Sequence, residues 1–322
     1  MTTFKEIRGT AVRSLSSDPS NPESGQLWYN NSIGVLKGYA LGAAAWSAGG
    51  NMGTARRYLG GAGNQTEALA FGGNAGAGNL TATEEYNGSS WTAGGNLGTA
   101  RYLLGGCGTQ TAGLAIGGYT TTNVANTEEY DGSAWTGGGN LGTTRRDIAG
   151  CGTQTAGLGF GGYTTTQVNN TEEYDGSAWT AGGNLATARG ALGGAGTQTA
   201  GLAFGGTTGS ITAATEEYNG SSWTAGGNMG TARYLLAGAG TQTAALGFGG
   251  NATPPATGAT EEYNGTSWTA STTMTTARRG LAGAGIQTAG LAFGGYNGTT
   301  FPAAAEEFTG AALAVKTITT TS

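Results

Sequence analysis

Six of the seven tryptophans of this 322-residue chain fall at nearly equal intervals. Trp46, Trp91, Trp135, Trp179, Trp223 and Trp268 are separated by 45, 44, 44, 44 and 45 residues. Three other landmarks keep the same step. A Thr-Ala-Arg or Thr-Thr-Arg triplet ends at Arg56, Arg101, Arg145, Arg189, Arg233 and Arg278. An apolar residue followed by Gly-Gly begins at Phe71, Ile116, Phe160, Phe204, Phe248 and Phe293. A Glu-Glu-aromatic triplet begins at Glu84, Glu128, Glu172, Glu216, Glu261 and Glu306. A period of this length means stacked structural repeats, each unable to bury its faces without its neighbours.

The unit has almost no helical periodicity and is cut repeatedly by turn residues. In one copy, Arg101–Cys107 reads as a first strand, and Gly108-Thr-Gln-Thr111 turns the chain. Ala112–Gly118 reads as the second strand, Thr127–Tyr130 as the third and Ser133–Thr136 as the fourth. Asp131-Gly132 between the last two is a hairpin signal. Four short strands per unit, six times over, predict an all-β chain: a six-bladed β-propeller over residues 46–310. The 66 glycines suit inner strands that crowd an axis. Residues 1–45 stand outside the repeat, as an attachment segment with a linker at Ser16–Gly25 and a small β-hairpin. Residues 311–322 read as a C-terminal strand or tail. Either the Trp46 strand or the 311–319 strand completes the last blade. Trp46 is favoured, because Ser47–Arg56 copies the sequence that follows the other tryptophans.

The order Gly72-Gly73, Tyr86, Trp91, Arg101 resembles the kelch repeat of kelch-type propellers and of galactose oxidase. That resemblance implies tryptophans packed between blades. The WD alternative needs Gly-His and Trp-Asp pairs, and neither occurs. The stretch Gly25-Gln-Leu-Trp-Tyr-Asn-Asn-Ser-Ile-Gly-Val-Leu-Lys-Gly-Tyr39 resembles a segment of bacteriophage tail-fibre and other virion proteins. The closing Val315–Ser322 is similar to the ends of such proteins.

Chemistry is constrained by what the composition lacks. No histidine is present, which removes Ser-His-Asp, Cys-His and His-ligated zinc chemistry together. The copper site implied by the galactose oxidase resemblance cannot be carried over for the same reason. The Glu-Glu pairs supply 12 of the 19 acidic residues, but every unit carries the same pair, which reads as structural pairing with the repeated arginines. The unrepeated acids in the repeat region are Glu67 and Asp147, with Asp131 and Asp175 at turns. The expectation is a protein that is not an enzyme, with no cofactor and no metal site. A net charge of −5 gives no electrostatic footprint for nucleic acid. No apolar run approaches the ~20 residues of a membrane span, and the N-terminus shows no secretory h-region. Cys107 and Cys151 share one repeat position, held elsewhere by Ala62, Ala195, Ala239 and Ala284, and are expected to be free thiols.

The six copies differ most in the loops after Gly-Gly: 74–81, 119–126, 163–170, 207–214, 251–259 and 296–304. Constant scaffolds with varied loops are how binding surfaces are built. Tyr119, Tyr163, Tyr296 and Phe301 are the large side chains there and the candidate ligand-binding residues. The six repeated tryptophans and six repeated arginines are the candidate structural residues. The expected function is a non-enzymatic bacteriophage virion structural protein, in a tail fibre, tail tip or capsid decoration. It would be present in many copies, contact other virion proteins through residues 1–45 and present a face to a host glycan or receptor. Its expected location is the virion, assembled in the host cytoplasm. The alternative is a bacterial or host kelch-type module that binds glycans or proteins.

Overall fold

A computed structural model describes residues 12–252 and 255–318. The first eleven residues of the attachment segment, two residues of the 251–259 loop and residues 319–322 lie outside that range. Among the described residues there is no helix, and the strands form seven four-stranded sheets. The architecture is β-propeller-like and divides into two units, one of residues 45–309 and one of residues 1–44 with 310–322.

The larger unit holds six equivalent antiparallel sheets. The second is Gly105–Gly108, Gly113–Ile116, Thr127–Tyr130 and Trp135–Gly137, paired in chain order. The first predicted strand is shorter than expected because Arg101–Leu104 is spent on a connection with a left-handed residue at Leu103. The sixth sheet pairs Ala282–Ile286, Ala289–Phe293 and Ala305–Thr309 with Ala45–Ala48, so Trp46 stands opposite Phe308. The Trp46 strand, not the C-terminal one, takes that outer position.

Glycine explains how closely the inner strands approach. A Cβ on Gly106 would lie 2.7 Å from the carbonyl oxygen of Gly61, and one on Gly238 would lie 2.5 Å from that of Gly194. Gly150, Gly194, Gly283 and Gly61 meet the preceding inner strand in the same way, Gly61 against Gly283. Any side chain here would push neighbouring sheets apart.

The core lies between sheets. Ala62, Leu69 and Phe71 of the first sheet pack with Leu97, Leu104, Ala115 and Tyr130 around the second. Each fully buried Leu or Phe side chain contributes about 1.5–3 kcal/mol. Polar staples repeat across the same seams. Gln154 Nε2 donates to the carbonyls of Gly113 (3.1 Å) and Tyr130 (2.7 Å) of the preceding sheet. Trp179 Nε1 donates to Thr127 Oγ1 at 2.8 Å, and the Tyr174 hydroxyl donates to Glu129. One sheet departs from this pattern. Ala305 replaces the threonine, so Trp91 donates to the Gly50 carbonyl at 2.9 Å instead. Phe308 replaces the tyrosine, and Ser271 Oγ donates to Glu262 at 2.7 Å in its place.

The smaller unit joins the two ends of the chain. The predicted hairpin, Leu27–Asn30 with Val35–Leu41, is the middle of a four-stranded sheet. Arg13–Leu15 joins one edge in parallel, and Leu313–Thr317 joins the other antiparallel. A two-stranded hairpin is marginal alone, and recruiting both termini removes its open edges; hence seven sheets rather than six. Nor is Ser16–Gly25 a plain linker. Asp18 accepts hydrogen bonds from Trp28 Nε1 (3.1 Å), Asn30 Nδ2 (3.0 Å) and Lys37 Nζ (2.7 Å). These bonds, with Lys37 first, hold the Asp18 carboxyl down at about 2. Trp28, the tryptophan outside the repeat, is fully buried.

Candidate functional site

Each repeated arginine is fully buried and clamps the connection that leads into an inner strand. Arg145 is representative. Its Nη1 donates to the carbonyls of Gly161 (2.9 Å) and Asn170 (2.7 Å), and its Nη2 pairs with Glu172 at 2.9 Å. The other Glu172 oxygen accepts from the Gly142 amide at 2.6 Å. All six Arg–Glu pairs are made within one sheet and its incoming connection, at 2.8–3.2 Å. Burial pulls the Arg145 guanidinium down to about 10, against the opposing effect of Glu172. It stays charged near neutral pH. The twelve repeated tryptophan and arginine residues therefore sit at seams and clamps.

The two residues after each clamp arginine are the ones the repeat leaves open. They are Arg57-Tyr58, Tyr102-Leu103, Arg146-Asp147, Gly190-Ala191, Tyr234-Leu235 and Arg279-Gly280. The second residue of every pair has a left-handed backbone, with φ between 54° and 59°. The reason is a closed cycle of backbone hydrogen bonds. Leu103 N–H donates to Tyr58 C=O, Asp147 to Leu103, Ala191 to Asp147, Leu235 to Ala191, Gly280 to Leu235, and Tyr58 to Gly280, all at 2.6–2.9 Å. Left-handed geometry costs a non-glycine residue roughly 1–2 kcal/mol, which each bond of the cycle helps to offset.

The first residue of each pair bridges to the residue after Gly-Gly. Tyr102 pairs with Tyr119, Arg146 with Tyr163, and Arg279 with Tyr296. The loops singled out in the sequence and the open dipeptides thus share one face of the larger unit. The candidate tyrosines are half-buried there, and arginines cover their rings. The Arg146 guanidinium lies 4.9 Å from the Tyr119 ring centre and 4.5 Å from that of Tyr163. Arg57 lies 4.6 Å from Phe301, 4.8 Å from Tyr58 and 5.3 Å from Tyr296. Arg279 takes up a position 5.3 Å from the same Tyr296 ring. Tyr58 and Tyr102 rings, 6.1 Å apart, join the two groups, so Tyr119, Tyr163, Tyr296 and Phe301 belong to one aromatic–arginine network.

Ring and guanidinium contacts link the first, second, third and sixth sheets, and in the fifth Asn251 joins the Tyr234 hydroxyl to Arg279 by hydrogen bonds. The fourth sheet breaks the series. There the corresponding residues are Gly190, Ala191 and Thr207, all small. The gap opens a depression of about 390 Å³. Arg57, Arg146, Tyr102 and Tyr234 stand around it, with Asp147, Ala191 and Thr207 on the open side.

Neither a protein-family model nor a curated protein matches this chain.

Asp147 is the only acid among the open dipeptides. Its Oδ2 lies 3.6 Å from Arg146 Nε, and its side chain is only 19% exposed. Burial raises its carboxyl from 3.8 to about 6, with Arg146 pulling the other way. Among the described residues no three Asp, Glu, His or Cys side chains come together. The depression offers two guanidinium groups, phenol and threonine hydroxyls, and one carboxylate of raised affinity for protons. That set is complementary in chemistry to a polar, hydroxyl-bearing molecule.

The sequence reading overlooked these dipeptides, although a signal was there. Within residues 45–309 the only basic residues besides the six clamps are Arg57, Arg146 and Arg279, and all three occupy the same repeat position. Cys107 and Cys151 are buried, unbridged and remote from this chemistry, on the inner strands. Burial pushes the Cys107 thiol to about 12.

Proposed function

We propose that this chain is a non-enzymatic structural protein of a bacteriophage virion, in a tail fibre, tail tip or capsid decoration. In this reading it presents a six-bladed kelch-like propeller as a rigid platform for recognising a host glycan or receptor. The observation that carries the reading is where the asymmetry lies. The Arg–Glu pair and the Gln staple recur in all six sheets and the Trp–Thr and Tyr–Glu bonds in five, while differences in charge and size gather on the face that holds the open dipeptides and the loops after Gly-Gly. A catalytic role gives no reason for six repeated Arg–Glu pairs, whereas a display scaffold does. The six sheets of the larger unit and the closed backbone cycle support the blade count. The resemblance of Gly25–Tyr39 to virion segments supports the location, with residues 1–45 contacting other virion proteins. Mass spectrometry of purified particles tests the reading. The protein should be present at a fixed stoichiometry to the other structural proteins. Its absence from particles, with retention in the cell fraction, overturns the virion reading in favour of a cellular kelch-type binding module.

A further inference from the structure

We propose that the depression beside Asp147 binds an acidic sugar, one that carries a carboxylate as well as ring hydroxyls. This rests on the reading of that face as a recognition surface and narrows its ligand class.

Four observations carry it. First, Arg57 has no carboxylate at ion-pair distance among the described residues, and its Nε is buried without a hydrogen-bond partner. Its guanidinium is held by ring faces alone, which leaves its N–H groups for an anion. A guanidinium fork matches a carboxylate in two parallel bonds. Second, the lining is mixed. Two cations stand against one acid, so the lining carries a net positive charge and favours an anion. Third, Asp147, Thr207 and the phenols of Tyr102 and Tyr234 supply acceptors and donors for several hydroxyls. The aromatic rings beside them supply a surface for the apolar face of a pyranose. Fourth, the volume suits a small ligand, and the lining includes the small Ala191 and Thr207 where most other sheets carry larger residues.

An acidic peptide would satisfy the cations, but it brings few hydroxyls to Asp147 and Thr207. A neutral sugar would satisfy the hydroxyl partners and leave Arg57 unpaired.

The test is isothermal titration calorimetry on the full chain at pH 7 and low salt. The probes are trigalacturonate, galactotriose, hexaglutamate and inorganic phosphate. Trigalacturonate should bind at least ten times more tightly than each of the other three, and its affinity should fall as salt is added. Arg57→Ala should weaken it at least tenfold. Thr207→Trp, which fills the open side, should abolish binding, with the melting temperature of both variants close to that of the parent. Equal affinity for trigalacturonate and galactotriose overturns the proposal. So do a preference for hexaglutamate or phosphate, no binding of trigalacturonate, or undiminished binding by both variants. Galactotriose binding that Thr207→Trp blocks would remove the acidic-sugar inference and leave the recognition face standing. Trigalacturonate binding through Arg57, in a protein absent from particles, would remove the virion reading and leave the inference standing.

Discussion

Asp147→Asn should stabilise this protein at neutral pH and remove part of its pH dependence. Asp147 is mostly buried beside Arg146, and its carboxyl is raised from 3.8 to about 6 because burial disfavours the charged form. Below about 3.8 the carboxyl is protonated in both the folded and the unfolded chain and has no effect on stability. Between 3.8 and about 6 the unfolded chain ionises while the folded one holds its proton. The folded state then binds more protons, so stability falls as pH rises through this window. Above about 6 the loss is complete. A shift of this size is worth at most about 3 kcal/mol at 1.36 kcal/mol per unit. Asparagine has nearly the same shape, cannot ionise and tolerates the φ of 55° at this position. At roughly 2 °C per kcal/mol for a large domain, the variant should melt up to about 6 °C above the parent at pH 8. At pH 4 the two should nearly coincide. Differential scanning calorimetry across pH 4–8 measures both curves. Parallel curves would mean that Asp147 titrates as an ordinary carboxylate. A variant less stable at pH 8 would mean that its ion pair with Arg146 outweighs the desolvation.

Three further outcomes follow from the seams and the strand order. Tyr174→Phe removes the hydroxyl that donates to Glu129 and should cost about 1–3 kcal/mol in urea unfolding. No loss would mean that water replaces the phenol. Deleting residues 1–44 should leave the larger unit folded, whereas deleting residues 1–48 removes the Trp46 strand and bares the Glu306–Thr309 edge. Size-exclusion chromatography should show a monodisperse species for the first and aggregation for the second, and identical behaviour refutes the strand assignment. Cys107 and Cys151 are buried, with Cys107 raised to about 12 and Cys151 well above its usual value, so Ellman's reagent should label neither until the protein unfolds. Labelling within minutes in buffer would refute their burial.

The repeat made the larger unit legible before any coordinates, because each landmark has one dominant physical role. The tryptophan spacing gives the sheet period, and Gly-Gly and Asp-Gly or Asn-Gly punctuate it. The small residue at the Cys107 position reports crowding near the axis. What stayed hidden depends on contacts between distant parts of the chain. The pairing of Leu313–Thr317 with Val35–Leu41 joins segments about 275 residues apart, and no local pattern announces it. Asp18 looked like part of a polar linker, since only the fold brings Trp28, Asn30 and Lys37 to it. For the candidate tyrosines the repeat marks position but not surroundings. Nothing local to Tyr119 says that Arg146 will cover its ring.

Symmetry also explains why the open dipeptides can vary at all. A residue inside a clamp is tied to carbonyls, to a glutamate and to a crowded inner strand, so a change there is felt across a whole sheet. The residue two positions later is fixed only through its backbone, by the N–H and C=O it contributes to the cycle. The cycle tolerates Tyr58, Leu103, Asp147, Ala191, Leu235 and Gly280 alike, because none of their side chains takes part in it. Six equivalent backbone positions therefore present five side chains, and none at Gly280, on one face. The same arrangement that holds the inner strands together leaves the chemistry of that face free to differ from one sheet to the next. A ligand meeting this face encounters a preorganised surface, which lowers the entropy lost on binding.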